Sequence, residues 1–337
     1  MRTGIKDIVW KPEKLSSSIS QLRELPEQLS KEIVGQSALI DRLLIALLCG
    51  GHLLLEGFPG LAKTRSVKVL ANLIAGEFHR IQFTPDLLPA DLTGTEVYRP
   101  ELGTFEFRPG PLFHEIILAD EINRAPAKVQ SALLEAMEER QITVGSKTYQ
   151  LPKLFMVMAT QNPIEHEGTY PLPEAQRDRF LMHVRVAYPE KSQEHEILKL
   201  VRAEATGEEL DSKSNDAQIS YDTIAAARRE IFSIHMAPTV EQYIIELVDA
   251  SRNSHRYSSE LDSWIAVGAS PRGTIALDVC ARARAWIEER DYVSPEDVQQ
   301  VAFDTLRHRI LLTYEADADG VDVDEVIREL ISVVAIP

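Results

Sequence analysis

Gly57-Phe-Pro-Gly-Leu-Ala-Lys-Thr64 is the stretch that decides the fold. The apolar run His52-Leu-Leu-Leu-Glu56 precedes it and an amphipathic helical pattern, residues 65–75, follows. A glycine-bearing loop between a strand and a helix is the setting a phosphate-binding loop requires. Backbone N–H groups of the loop (Gly57, Gly60, Leu61 and Ala62) would cradle phosphate oxygens at the helix N-terminus. Lys63 would reach the β- and γ-phosphates, and the Thr64 hydroxyl would ligate Mg²⁺. Ala62 stands where the strict pattern has glycine; alanine is the next smallest residue and fits a helix start.

Four further segments lie outward from the loop. Ile116-Ile-Leu-Ala-Asp120-Glu121 is an apolar strand ending in two acids. Asp120 would hold the Mg²⁺ shell and Glu121 would orient and polarise an attacking water. Ala159-Thr-Gln-Asn162-Pro163 ends the next apolar strand, where Asn162 could sense a γ-phosphate; taken alone it reads equally as an Asn-Pro turn. Glu174-Ala-Gln-Arg177-Asp178-Arg179-Phe180 sets two arginines before another apolar strand. An arginine supplied in trans to a phosphoryl-transfer site is worth about 10³–10⁵ in rate, though spacing alone reads these two as surface ion pairs. In Gly268-Ala-Ser270-Pro271-Arg272-Gly273, Ser270 can cap a helix that Pro271 starts. Arg272 then sits in the first turn, where a cation opposes the helix dipole and calls for an anionic partner.

The chain has 337 residues, which points to about two domains. It is 44% hydrophobic and 26% charged, an ordinary globular composition. Lys plus Arg is 36 and Asp plus Glu is 52, a net charge of −16. That charge disfavours phosphate backbones and anionic lipid, so neither nucleic acid nor a membrane is an expected partner. Cys49 and Cys280 are too few for a disulfide framework or a four-thiolate zinc site and read as small buried hydrophobes. The first twenty residues hold no apolar h-region, and the apolar stretch 43–55 is shorter than the roughly 20 residues that span a bilayer. A cytoplasmic protein is expected.

The pattern divides into three parts. Residues 1–30 read as a short helical arm with Leu15, Ile19, Leu22, Leu25 and Leu29 on one side and Pro26 ending or kinking it. Residues 31–189 alternate four apolar strands (52–56, 115–119, 154–159, 181–186) with helices, which argues for a parallel sheet covered on both faces. Hairpins are expected at 95–108 and 141–151. Residues 190–337 are nearly all helical, with candidates at 190–204, 221–232, 239–254, 271–290, 295–308 and 323–334 and a polar loop at 204–220.

The five segments, in this order, resemble the AAA+ ATPases and more closely the MoxR family, through GFPGLAKT, FTPDLLPADLTG, GPLF, LADEINRAPAKVQSALLEAMEE, ATQNP, LPEAQRDRF and GASPRG. The likeness spans about residues 31–310. It implies an α/β fold: a P-loop αβα core with a parallel sheet, an insert in helix 2 at about 83–110, a hairpin before sensor 1 at about 141–151, then an all-helical lid. It implies a homo-oligomeric ring, usually hexameric, with ATP and Mg²⁺ at subunit interfaces. Lys63 and Thr64 match Walker A; Asp120 and Glu121 match Walker B. Asn162 matches sensor 1, Arg179 the arginine finger, and Arg272 a second sensor that reaches the nucleotide from the lid. Val34 and Gly35, in Ile33-Val-Gly-Gln36, match the segment lining the adenine pocket. Arg177 occupies a position commonly apolar in relatives and leaves the finger open between it and Arg179. MoxR relatives act as chaperones for proteins with von Willebrand factor A domains, so such a client is expected.

Other patterns fail on inspection. His114-Glu115 and His195-Glu196 lack the second histidine of a zinc helix, since Leu118 and Lys199 stand in its place. The acidic run 317–324 misplaces the glycine of a calcium loop and has Arg328 where the bidentate Glu belongs. Two functions fit the motifs: an ATPase that remodels a partner, and an ATP-dependent assembly scaffold that does not hydrolyse. Glu121, Asn162 and Arg179 together favour the ATPase.

Overall fold

A computed structural model describes residues 12–58, 61, 63–74, 76–162, 169–206 and 219–337. Five strands form one parallel sheet: β1 (Leu53–Glu56), β2 (Phe78–Gln82), β3 (Ile116–Asp120), β4 (Met156–Gln161) and β5 (Met182–Arg185). Their order is β2-β3-β4-β1-β5. Side chains alternate across it with the period of two that a strand imposes. Leu53, Leu55, Ile116, Leu118, Met156 and Met158 face one core; Leu54, Ile117, Ala119, Val157 and Ala159 face the other. All are buried, which is why these strands read as continuous apolar runs. β2 escaped that reading. It is an edge strand, Phe-His-Arg-Ile-Gln, in which only Ile81 is buried.

The first core continues without a break into the C-terminal helices through Leu247, Leu277, Trp286 and Val301. The helical part is therefore packed onto the sheet as one body with it. Arg307, His308 and Arg309 bond the carbonyl oxygens of Phe180, Leu181 and His183. They cover the edge strand β5, whose open backbone would otherwise invite pairing.

The N-terminal helix corrects an expectation. It runs unbroken from Pro12 to Glu32 with Pro26 inside it. Leu22, Leu25, Leu29 and Ile33 are buried in the first core. At roughly 1.5–3 kcal/mol for each fully buried side chain, that burial outweighs the ~3 kcal/mol that an internal proline costs. The segment is thus part of the packed body rather than an arm.

Both expected hairpins are present, Gly94–Arg99 with Thr104–Pro109 and Gln141–Val144 with Lys147–Gln150. Phe107 of the first stacks on Tyr149 of the second at 4.0 Å, which joins them. At the base of the first, a Cβ on Gly110 would lie 2.3 Å from the Leu92 carbonyl oxygen, so only glycine lets the two chain segments meet. The six expected C-terminal helices are found within a few residues of their expected bounds. The helical part also holds a helix at Ser259–Trp264 and a small pairing of Ile265–Val267 with Leu311–Leu312 that the sequence pattern did not reveal. Most of the polar loop at 204–220 lies outside the described residues. No described helix is long and apolar enough to cross a membrane.

Candidate functional site

The C-terminal ends of β1, β2, β3 and β4 meet at one edge of the sheet, with Glu56 level with Gln161 and Gln82 level with Asp120. Open parallel sheets bind ligands outside this edge. A cleft of about 400 Å³ lies there. Gly57, Leu61, Lys63, Thr64, Asp120, Glu121 and Asn162 all line it, as the motifs require. Gly60 and Ala62 lie outside the described residues. A Cβ on Gly57 would sit 2.8 Å from the Val186 carbonyl oxygen, so the loop leaves β1 through a gap that only glycine passes.

Lys63 opens the helix Lys63–Leu73 and donates to the Gly57 carbonyl oxygen at 2.6 Å. Burial pulls its pKa below the usual lysine range, and Asp120, Glu121 and Glu56 pull the other way. A partly desolvated cation facing an open cleft favours an anion there.

The two acids are held differently. Asp120 accepts a hydrogen bond from the Thr160 hydroxyl at 2.6 Å and pairs with Arg80 at 2.5 Å. Thr160 in turn accepts from the backbone N–H of Glu121 at 2.8 Å. Glu121 has φ 58° and ψ 50°, the left-handed region. That costs a non-glycine residue about 1–2 kcal/mol, and the strand is broken at this residue. Its carboxylate accepts from Gln82 at 2.7 Å and Arg124 at 2.9 Å. Arg80, Gln82, Arg124 and Thr160 are site residues that the sequence reading missed. Arg80 and Gln82 sit on the unrecognised edge strand; Thr160 was visible, two residues before Asn162.

The donor set suits Mg²⁺. Thr64 and Asp120 bring a hydroxyl and a carboxylate to the cleft, hard oxygen ligands that leave room for phosphate oxygens and water. Lys63 supplies the point charge a triphosphate needs.

A second cavity, about 600 Å³, is lined by Val34 together with Lys199, Leu200, Arg202 and Ala203 of the first C-terminal helix, Lys191–Thr206. Gly35 beside it has φ 77°, and a Cβ there would press on Gln193 and Pro189. Gln36 donates to the Ala187 carbonyl oxygen at 3.1 Å. Arg65 donates to the Glu32 carbonyl oxygen at 2.7 Å, and Phe58 stacks on Tyr188 at 4.9 Å. These contacts bring segment 33–36, the phosphate-loop helix and the first lid helix close together.

The arginines lie elsewhere. Leu181 donates to the His52 carbonyl oxygen at 2.8 Å, just before β1 and β5 begin. Arg179 is therefore at the opposite edge of the sheet, separated from the cleft by β1, roughly 13 Å at the usual rise per strand residue. It pairs with Glu138 at 2.9 Å. Arg272 pairs with the other oxygen of the same carboxylate. Glu138 is thus the anionic partner that the first-turn position of Arg272 called for, and Arg272 keeps company with Arg179 rather than with this chain's cleft. Arg272, expected to reach the nucleotide from the lid, is paired here with Glu138 instead. Arg177, on the short helix Glu174–Arg177, also stands away from the cleft, and its buried Nε has no hydrogen-bond partner. Cys280 is buried and Cys49 partly so, and the Cys49 thiol donates to the Val279 carbonyl oxygen at 3.4 Å.

Comparison with known proteins identifies the family and the fold. Residues 52–182 match the model of the ATPase family associated with various cellular activities (AAA), and residues 261–330 match the AAA lid domain. The chain is 44% identical over 326 residues to Chaperone MoxR1 of Mycobacterium tuberculosis, covering 96% of this chain and 85% of that one. It is 32% identical to Protein MoxR of Methylorubrum extorquens, covering 92% and 93% of the two chains. A crystal structure of a candidate ATPase from Cytophaga hutchinsonii superposes with a TM-score of 0.86 at 46% identity, covering 96% of this chain and 97% of that one. With an AAA core and an AAA lid matched in order, and MoxR proteins aligned along nearly its whole length, the chain belongs to the MoxR family of AAA+ ATPases.

Proposed function

We propose that this chain hydrolyses ATP at the interfaces of a homo-oligomeric ring, a hexamer, and uses the cycle to remodel a partner protein. The observation that carries the reading is the separation of its parts. Lys63, Thr64, Asp120, Glu121 and Asn162 line one cleft, whereas Arg179 and Arg272 gather at Glu138 on the far edge of the sheet. Arginines that cannot reach their own cleft can serve a neighbour's.

In this reading Lys63 binds the β- and γ-phosphates. Thr64 and Asp120 would hold Mg²⁺, which when bound would offset the charge that develops on the phosphate oxygens. Glu121 accepts the proton of the attacking water once Gln82 and Arg124 release its carboxylate. Asn162 orients that water against the γ-phosphate. The cavity at Val34 and Gly35 takes the base. Arg179 and Arg272 of the adjacent subunit approach the γ-phosphate and exchange Glu138 for it, so turnover depends on assembly. The stacked hairpins, joined through Phe107 and Tyr149, are the surface through which lid movement does work on a client. The name Chaperone MoxR1, borne by a relative, supports a client protein. A von Willebrand factor A domain in that client rests on family membership.

A second reading has one observation in its favour: Glu121 is already engaged by two donors. A scaffold that binds ATP, assembles and does not hydrolyse would leave it so.

Steady-state hydrolysis per subunit, measured across a concentration series for wild type, Glu121→Gln and Arg179→Ala, separates the two. Activity that rises with concentration in wild type and is nearly lost in both variants is expected. Activity that stays flat on dilution sinks the interface site, and wild-type turnover no faster than Glu121→Gln selects the scaffold.

A further inference from the structure

Two arginines on separate elements serve one phosphate only if something fixes them relative to each other. Arg179 sits in the turn before β5, while Arg272 sits in the first turn of the helix Pro271–Ile287. Between them stands the carboxylate of Asp178, the residue before Arg179. Its Oδ2 accepts the Ser270 hydroxyl at 2.8 Å, and the same hydroxyl oxygen accepts the backbone N–H of Arg272 at 3.1 Å. A relay of two hydrogen bonds thus joins the backbone of Arg272 to the residue beside Arg179.

The other side of the carboxylate is anchored in the lid. Oδ1 accepts from Arg309 Nε at 2.8 Å, and the Arg309 side chain is only 3% exposed. Arg309 Nη2 donates to the carbonyl oxygen of Asp178 at 3.2 Å and to that of Phe180 at 2.7 Å. One buried guanidinium therefore grips the chain on both sides of Arg179. Burial pulls the pKa of Arg309 down and Asp178 pulls it up. Removing Asp178 would leave a buried cation without its counter-charge. The bases of the two arginines are fixed at Asp178 and their tips converge on Glu138, while the Arg272 guanidinium also lies 3.9 Å from the Asp178 carboxylate.

We infer that Asp178 is a positioning residue for hydrolysis in the neighbouring subunit, locking Arg179 and Arg272 into one unit so that both engage a phosphate together. The inference rests on the proposed action in trans. It distinguishes Asp178 from an ion pair that merely holds the fold, because its loss impairs the adjacent cleft and leaves its own intact.

Mixing of variant subunits tests this. Asp178→Asn alone is expected to lower kcat at least tenfold while KM for ATP stays within about twofold. Glu121→Gln subunits have a dead cleft but intact arginines. Mixed one to one with them, Asp178→Asn clefts regain turnover well above the sum of the two proteins alone. Arg179→Ala, mixed in the same way, is the control. If Arg179→Ala recovers and Asp178→Asn does not, Asp178 does not act through the arginines and the inference fails. If neither recovers, action in trans fails first. Should Asp178→Asn fold poorly, Ser270→Ala cuts the relay and leaves the Asp178–Arg309 pair whole. It is expected to lower kcat several-fold with the same recovery on mixing, and Ser270→Thr to restore it; because the Arg272–Asp178 ion pair at 3.9 Å survives that change, an unchanged kcat in both folded Ser270→Ala and folded Asp178→Glu overturns the inference.

Discussion

Replacing Thr160 by valine removes one oxygen from the site and almost no volume. Thr160 is 2% exposed, and its hydroxyl joins both acids, donating to Asp120 at 2.6 Å and accepting from the Glu121 N–H at 2.8 Å. Valine fills the same space but cannot make either bond, so the packing term is small and the polar term dominates. The lost bond to a carboxylate is worth roughly 1.5–3 kcal/mol, and the Glu121 N–H left without an acceptor adds a further ~1–3 kcal/mol. Asp120 keeps Arg80 and recovers part of this from water, so a net loss of about 2–4 kcal/mol is expected. At ~2–4 °C for each kcal/mol, Tm should fall by roughly 4–16 °C. The Glu121 backbone, already left-handed, loses the tether that holds it there. If about 1.4–2.8 kcal/mol of the loss is expressed in the transition state, kcat falls 10- to 100-fold. Scanning calorimetry and steady-state ATP hydrolysis at saturating assembly read the two effects, with Thr160→Ser as the variant that keeps both bonds. A Thr160→Val protein within twofold of wild-type kcat at unchanged Tm would refute the view that this hydroxyl organises the acids.

Three further outcomes follow from the same geometry. Lys63→Met should weaken ATP binding roughly 10- to 100-fold, the loss expected for a charge-assisted contact to phosphate; calorimetric titration giving wild-type affinity would remove Lys63 from the site. His52 is buried between Met137 and Val157, and desolvation lowers its pKa to about 3, while burial drives that of His308 well down too. With both folded pKa values below the unfolded value near 6.5, the folded chain binds fewer protons than the unfolded one as pH falls, so stability is full above about pH 6.5 and drains below it. About 1.4 kcal/mol from His52 should be gone at pH 5.5, with His308 acting in the same direction; urea unfolding at pH 7.5 and 5.5 measures it, and His52→Gln should reduce the difference. Gly268→Ala would place a Cβ 2.3 Å from the Ser251 carbonyl oxygen, two residues before the cap of the Arg272 helix. A loss of about 1–3 kcal/mol is expected from such overpacking, seen as a lower Tm, and an unchanged Tm would show that the turn has room.

The sequence by itself determined the site's chemistry and most of the core. Loop, acid pair and Asn162 stand at the ends of buried strands, and a buried strand declares itself by a continuous apolar run followed abruptly by polar residues. Local periodicity also placed both hairpins and the main C-terminal helices, because pattern and turn chemistry act over a few neighbouring residues. What only the tertiary structure decided depends on groups far apart in the chain. β2 was hidden because an edge strand is half exposed and carries no continuous apolar signal. Arg80 and Gln82 were hidden with it. Pro26 lies inside a helix because burial of Leu25 and Leu29 against distant helices outweighs a local preference. Arg272 goes with Arg179 because one carboxylate, Glu138, holds both, and no local pattern marks an ion pair between residues 134 positions apart. Short-range chemistry is written along the chain; which charge meets which is fixed only when the sheet brings its two edges, and the lid, into place.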